Sequence, residues 1–385
     1  MTWCRSRLPM RRRFLPRLVL LALVASAGIL VDFTTHGEAA PRPARVLAVV
    51  QSLLGPTLEP LDARTLRPVS GGWSLPLGWS FSGGTKGPVA LSPSGSRVAA
   101  TTGLSGDGVV VVDVASGRVL WRYNGLGDTL GLYWLGGERL KVPGGAVLMA
   151  VTFDCASLGC GDEFTIVGQG DSVDFNDDDP VGALPEGVVM SFASAKVIIV
   201  YGQVDEEIGL KQMPLAAPHR LVVDVAHDRL FQISSAGIVA EVDHVATRPT
   251  VTYHRVELNG QPFQAVWAGA GKIALWGKDG LGTIDTRTWK THAIAPGVTD
   301  VVATPFGLAT WTNDPNDGLT VYRPDGSLRL GMGLEGKRVK AVYRAGEYLY
   351  VDANARHSVN LRTGTVTGPL RSNATIVEPE MVPLP

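Results

Sequence analysis

The sequence predicts an all-β fold: a single β-propeller with seven or eight four-stranded blades, preceded by an N-terminal signal or anchor helix. Three observations carry this. A short turn motif recurs at intervals of roughly 40 residues, the length of one four-stranded blade. Glycine (46) and proline (25) are spread along the 385 residues while 45 % of residues are apolar, so a large core is interrupted by many turns. After Pro41, no capped apolar stripe at i, i+3, i+4, i+7 lasts for three helical turns.

The motif is an apolar strand, then Asp or Asn, then a turn ending in Thr or Ser, then another strand. It occurs at Asp62-Ala63-Arg64-Thr65, Asp113-Val114-Ala115-Ser116, Asp243-His244-Val245-Ala246-Thr247, Asp285-Thr286-Arg287-Thr288 and Asn360-Leu361-Arg362-Thr363, with a shorter form at Arg323-Pro324-Asp325-Gly326. The Asp or Asn side chain accepts hydrogen bonds from backbone amides two or three residues on, and the hydroxyl reinforces the turn. Asp243, Asp285, Asp325 and Asn360 follow one another at 42, 40 and 35 residues, and the 130 residues between Asp113 and Asp243 leave room for two degenerate blades. A pair of two-sheet sandwiches fits the strand alternation but not this period.

Seven upstream segments are expected to line the centre: Pro88–Ser92, Leu130–Leu135, Val188–Phe192, Leu221–Val225, Ala265–Ala268, Val301–Thr304 and Ala341–Tyr343. Strands near Val46–Val50, Leu58–Leu61 and Leu66–Val69 form a partial further unit. Ala374–Val377 is expected to complete it by bringing the C-terminus back, which removes the open edge of the ring.

Residues 1–40 read as a signal peptide or N-terminal membrane anchor, 41–378 as the propeller and 379–385 as a Pro-rich tail. Arg11-Arg12-Arg13-Phe14-Leu15 precedes an apolar run from Leu18 to Val31, the charged-then-apolar order of an export signal. The run is shorter than the roughly 18–20 residues that span a bilayer. Cleavage at Ala25-Ser26-Ala27 or Gly37-Glu38-Ala39 and retention as an anchor both stay open, as do the general and twin-arginine routes. Either way the expected location is extracytoplasmic: secreted, or in the periplasm or cell envelope. Without residues 1–40 the formal charge moves from −1 to about −5, and no Lys/Arg run follows the leader, so a nucleic-acid partner is not expected. Membrane contact is expected only through the N-terminal segment, and the propeller is expected to be monomeric.

Cys155 and Cys160 share a Gly-rich loop, and in an oxidising compartment a disulfide is the expected state. In the acidic stretch Asp171–Pro180, Asp174, Asn176 and Asp178 place oxygen ligands at alternate positions, like the first half of a calcium loop. Asp179 and Pro185 stand where such a loop needs Gly and Glu, so a solvated acidic loop is the competing reading and calcium the cation the spacing would suit. The seven histidines show no metal-ligand pairing and read as turn or surface residues. Neither a Gly-x-Ser-x-Gly elbow nor a Lys-bearing phosphate loop occurs. Catalytic and cofactor-binding residues are therefore not assigned. Most tryptophans are expected in the core, with Trp73 and Trp79 as candidates for an exposed binding surface.

Ala90-Leu91-Ser92-Pro93-Ser94-Gly95-Ser96-Arg97-Val98-Ala99, followed by Val109–Asp113, resembles the YVTN-type and quinoprotein-like (PQQ-like) propeller repeats, in which a Ser-Pro-x-Gly turn joins the inner two strands. Asp113 through Trp121 is similar to the quinoprotein-like Asp, Thr-Gly, Trp pattern with Ser116 in place of Thr, and the resemblance implies that Trp121 packs between blades. Elsewhere the pattern fades: Trp289 follows Thr288 directly, and Gly368 stands where Trp would. Quinone-dependent family members use an adjacent cysteine pair, which Cys155 and Cys160 are not. The resulting expectation is an exported, non-catalytic binding or scaffold module for an envelope protein, glycan or small ligand. The alternative is a channel-mouth enzyme, calcium-assisted or quinone-dependent. Fold does not decide between them.

Overall fold

The computed structural model describes residues 45–376 apart from 78–88, 103–107, 125–130, 136–137, 145–148, 156–159, 164–177, 185–186, 193–196, 203–206, 209–213, 216–218, 259–263, 315–316, 335–337 and 371–373. The leader and the tail, 1–44 and 377–385, lie outside the described residues. Among the described residues there are eight four-stranded antiparallel sheets, which settles the count that the repeats leave between seven and eight. Strands are lettered a to d from the centre outward. The first sheet takes strand a from the chain's far end (Ala374–Ile376) and strands b to d from Arg45–Ser52, Gly55–Asp62 and Leu75–Pro76. The other seven sheets follow in order, with strand a at Val89–Leu91, Tyr133–Leu135, Asp178–Leu184, His219–Asp224, Gln264–Gly269, Asp300–Thr304 and Ala341–Ala345. Consecutive inner strands abut, giving a propeller. Val225–His227 forms a short helical turn, and no described helix is long and apolar enough to cross a membrane.

Burial explains the residue patterns. Strands b and c are covered by a sheet on each face, so they read as near-continuous apolar runs: Val109–Val112 is wholly buried. Strand d meets solvent, and Thr250–Arg255 is exposed along most of its length. Neighbouring sheets share apolar clusters. Leu47, Val49 and Leu58 pack on Val98 and Val110 between the first and second sheets, and Ala99, Val109 and Val111 on Trp134, Leu140 and Val142 between the second and third. Trp121 packs against this second cluster, the inter-blade position that the repeat resemblance implies.

The chain returns to close the ring. Ala48 pairs with Ile376 and Val50 with Ala374, so the C-terminal strand completes the sheet opened by the N-terminal one, as the sequence predicts. The eighth sheet clasps this joint. Tyr350 is buried, which pushes its phenol pKa upward, and its hydroxyl donates to Ala63 O at 2.8 Å. Ser358 Oγ donates to Arg64 O at 2.6 Å. Arg356 pairs with both oxygens of Asp352, at 2.8 and 2.7 Å, and also donates to Ala374 O.

Two strand assignments need correction. Leu66–Val69 is not a strand: Pro68 only bridges to Leu61, and strand d lies later, at Leu75–Pro76. Proline lacks the donor that would continue a ladder. In the fourth sheet Val188–Phe192 belongs to strand b (Gly187–Phe192), whereas the inner strand is Asp178–Leu184. That strand opens on Asp178-Asp179-Pro180 and carries a bulge between Pro180 and Gly182, so the apolar pattern points to the next strand instead.

Because strands alternate in direction, the a–b connections and c–d turns lie on one face, and the b–c hairpins and d–a connections on the other. Arg45 opens a strand b and Ile376 ends a strand a, so both ends of the described chain are on the first of these, the entry face. The opposite one is the far face.

Candidate functional site

Four c–d turns of the entry face are built by one local rule. Asp62 Oδ1 accepts from Thr65 N at 2.8 Å and Thr65 Oγ1 at 2.7 Å. Asp113 takes Ser116 N at 2.8 Å as well as the Ser116 hydroxyl. Asp285 takes the amides of Thr288 and Arg287 at 2.9 and 3.1 Å and the Thr288 hydroxyl at 3.0 Å. Asn360 takes the amides of Thr363 and Arg362, at 3.0 and 2.9 Å. At Asp113, Asp285 and Asp325 such bonds favour the ionised carboxylate. The Ser116 hydroxyl and amide lower the pKa of Asp113, the Ser327 amide lowers that of Asp325, and the Thr288 amide and hydroxyl with Lys272 bring Asp285 to about 2.

The Asp285 value fixes a pH dependence. A folded pKa below the unfolded one contributes stability that is present above the unfolded value, about 4, and is lost as pH falls through the folded value near 2. Asp285→Ala should cost about 1–2 kcal/mol at neutral pH, and its deficit against the parent should shrink between about pH 4 and pH 2. Denaturant unfolding across that range checks both, and a pH-independent deficit would contradict the assignment.

Between the fifth and sixth sheets lies a charged and aromatic network. Asp224, at the end of strand a (His219–Asp224), has a side chain with no exposure, and Arg229 grips it with Nη2 at 2.6 Å and Nε at 3.2 Å. Arg229 Nη1 reaches Glu241 at 3.1 Å, and Glu241 bonds His254 Nε2 at 3.0 Å. The His254 ring stacks on Trp289, centroids 3.6 Å apart, while the guanidinium lies 5.3 and 5.8 Å from the rings of Phe231 and Trp267. Chemically this is a chain of polar pairs across the four strands of the fifth sheet, and the stacking of His254 on Trp289 and of Phe231 on Trp267 joins it to the sixth. His254 is thus not the turn or surface residue that its sequence position suggests. Its partners are distant in sequence, and only the pairing of strand c (Ile238–Asp243) with strand d (Thr250–Arg255) brings Glu241 beside it.

The residues singled out from the sequence fall in different places. Trp73 is half-buried at the junction of the first two sheets, its indole N–H donating to Val114 O at 2.9 Å. Its ring lies across Gly117, where an added Cβ would come within 2.2 Å of it and where φ is +71°, so glycine serves both the turn and the close approach. Trp79 is outside the described residues, but Leu77, two positions before it, bonds Pro56 O at the far-face end of the first sheet. Cys155 and Cys160 are joined by a disulfide. It spans the connection between strand c (Met149–Asp154) and strand d (Gly161–Glu163) of the third sheet, the place that the Asp-x-x-Thr/Ser turn occupies in other blades. Cys155 is fully buried beside Trp134 and Leu140. Asp174 and Asn176 lie outside the described residues. Asp178 opens an inner strand, opposite Phe192, so the end of the acidic stretch is not loop.

Sequence reasoning passed over Leu53 and Leu54. They form the tip of the b–c hairpin in the first sheet and are 96 % and 88 % exposed. The tip stands on the far face, at the same end of the sheet as the connection that leads to Trp79. A doublet of leucines at a hairpin turn was the available signal, since turns otherwise favour Gly, Asn, Asp and Pro.

A ring of four-stranded sheets closed by its own C-terminal strand defines a β-propeller. The structure is similar to dihydro-heme d1 dehydrogenase NirN in complex with DHE, with a TM-score of 0.58 at 15 % identity over 91 % of this chain and 77 % of that one. It is also similar to apo AztD from Citrobacter koseri, with a TM-score of 0.56 at 12 % identity over 87 % and 96 % of the two chains. At these identities the likeness is one of fold. No protein-family model matches the chain, and no curated protein matches it.

Proposed function

We propose that this protein is an extracytoplasmic, non-catalytic propeller of the YVTN or quinoprotein-like repeat type that binds a protein partner through its far face at the first sheet. The observation that carries this is the exposed Leu53-Leu54 tip, a pair of large apolar side chains raised on a rigid hairpin. The connection that leads to Trp79 leaves the same sheet end, where Leu77 N–H bonds Pro56 O. Apolar and aromatic anchors of this kind dominate binding at protein interfaces. The fold supplies the support. The hairpin belongs to the sheet that closes the ring, and its strands are fixed over all eight paired positions from Arg45↔Asp62 to Ser52↔Gly55. The charged network between the fifth and sixth sheets is internally paired, which fits a structural lock rather than a reaction site.

A photo-crosslinking residue placed at position 54 tests this, with position 116 on the entry face as the control. In cells exporting the full chain, position 54 should give one discrete protein adduct that Leu53→Asp removes, and position 116 should give none. No adduct at 54, or the same adducts at both, would sink the proposal.

A further inference from the structure

The entry face carries charge in a pattern set by its turns. Five residues after the anchoring carboxylate stands a basic residue in four of them: Arg67 after Asp62, Arg118 after Asp113, Arg248 after Asp243 and Lys290 after Asp285. In three of these the carbonyl of that residue accepts the anchor's own N–H, at 2.9, 2.9 and 3.0 Å, so the position is structurally equivalent from sheet to sheet. Two residues after the anchor, at the turn tip, stand Arg64, Arg287 and Arg362. All seven are exposed, while Asp62, Asp113, Asp243 and Asp285 are half-buried. The turn explains this difference. The anchor folds inward to accept amides, which leaves the tip and the start of strand d pointing to solvent.

Acidic groups on the same face are largely engaged within the protein. Asp224 is buried against Arg229, Asp228 accepts from Ala246 N, Glu138 accepts from Ser94 N, Asp325 accepts from Ser327 N, and Glu347 takes the guanidinium of Arg362 at 2.7 Å. Arg67, Arg118, Arg248, Arg287 and Lys290 make no salt bridge among the described residues. Seven exposed basic side chains thus stand at recurring turn positions of this one rim.

That rim is also where the chain arrives from its apolar N-terminal run. Residues 32–44 lie between the run, which ends at Val31, and the first strand at Arg45. Each Lys or Arg brought to an anionic membrane surface raises affinity several-fold, within a screening length of about 8–10 Å.

We propose that the entry face docks on an anionic phospholipid surface through the c–d turns of the first, second, fifth, sixth and eighth sheets. The proposal rests on the extracytoplasmic reading above and adds a surface opposite to the one offered to a protein partner. Hydrogen exchange of the full chain on vesicles tests it, comparing phosphatidylcholine alone with phosphatidylcholine containing about one-third phosphatidylglycerol. Turn segments 62–68, 113–119 and 285–291 should exchange about fivefold more slowly on the anionic vesicles only, and about 0.5 M salt should remove the difference. The hairpins at 52–55 and 277–280 should not change. Arg67→Glu/Arg118→Glu/Arg287→Glu, which alters only exposed side chains, should abolish the protection while leaving the melting temperature in place. Equal protection on both lipids, none on the anionic one, or protection of the hairpins would each overturn docking. Co-flotation with phosphatidylcholine vesicles reports attachment through the N-terminal run separately. Flotation without turn protection refutes docking while leaving attachment standing, and turn protection on anionic vesicles without such flotation supports docking alone. The position-54 crosslink reads the far face and is independent of either.

Discussion

Removing residues 374–385 should destabilise the propeller by about 4–6 kcal/mol and leave a protein that self-associates. The deleted strand buries Ala374 and Ile376 almost completely and pairs with Arg45–Ser52 at three positions. Burying one isoleucine contributes about 3 kcal/mol, and each retained ladder hydrogen bond adds about 1. The loss goes beyond those contacts. Arg356 forfeits the Ala374 carbonyl, and the Arg45–Ser52 strand becomes an open edge in a ring that otherwise has none between blades. Urea unfolding and light scattering of the shortened protein measure both effects, and a synthetic peptide covering the deleted residues should raise the unfolding midpoint again. An unchanged midpoint in a monomeric product would show that closure contributes little.

Asp224→Ala should cost about 3–5 kcal/mol, because it leaves the largely buried guanidinium of Arg229 without its main partner. Glu241 offers partial compensation through Nη1 but is shared with His254. Replacing both members of the pair, as Asp224→Leu/Arg229→Leu, should recover most of the loss, since an apolar pair of similar volume avoids desolvating two charges. Phe231 and Trp267, which flank the guanidinium, already provide apolar walls. Chemical denaturation of the single and double variants decides this. If the double variant is as unstable as the single, the network stabilises by more than mutual neutralisation.

Much of the architecture is local and was therefore open to reading from the sequence. The Asp-x-x-Thr/Ser turn is self-contained: Asp62, Asp113, Asp285 and Asn360 each find their partners within three residues, so the motif marks a c–d turn wherever it occurs. Its period gives the blade, and the run of apolar residues in strands b and c follows from their cover on both faces. The return of Ala374–Ile376 to the first sheet could be expected because an incomplete N-terminal unit leaves an edge that a strand must cover.

What tertiary structure alone decided is whatever depends on pairing across sheets. The inner strand of the fourth sheet opens on two aspartates and a proline, so only its hydrogen-bonded register with Gly187–Phe192 reveals it as a strand. Trp73 and Trp79 are six residues apart in sequence, yet the first is tied to a neighbouring sheet's turn through Val114 and Gly117. Asp224, Arg229, Glu241, His254 and Trp289 have no shared motif and meet because adjacent strands and adjacent blades bring them together. The same holds for the entry face. Each basic residue is visible in its own turn, but a rim of them exists only because the ring places equivalent positions of successive blades side by side.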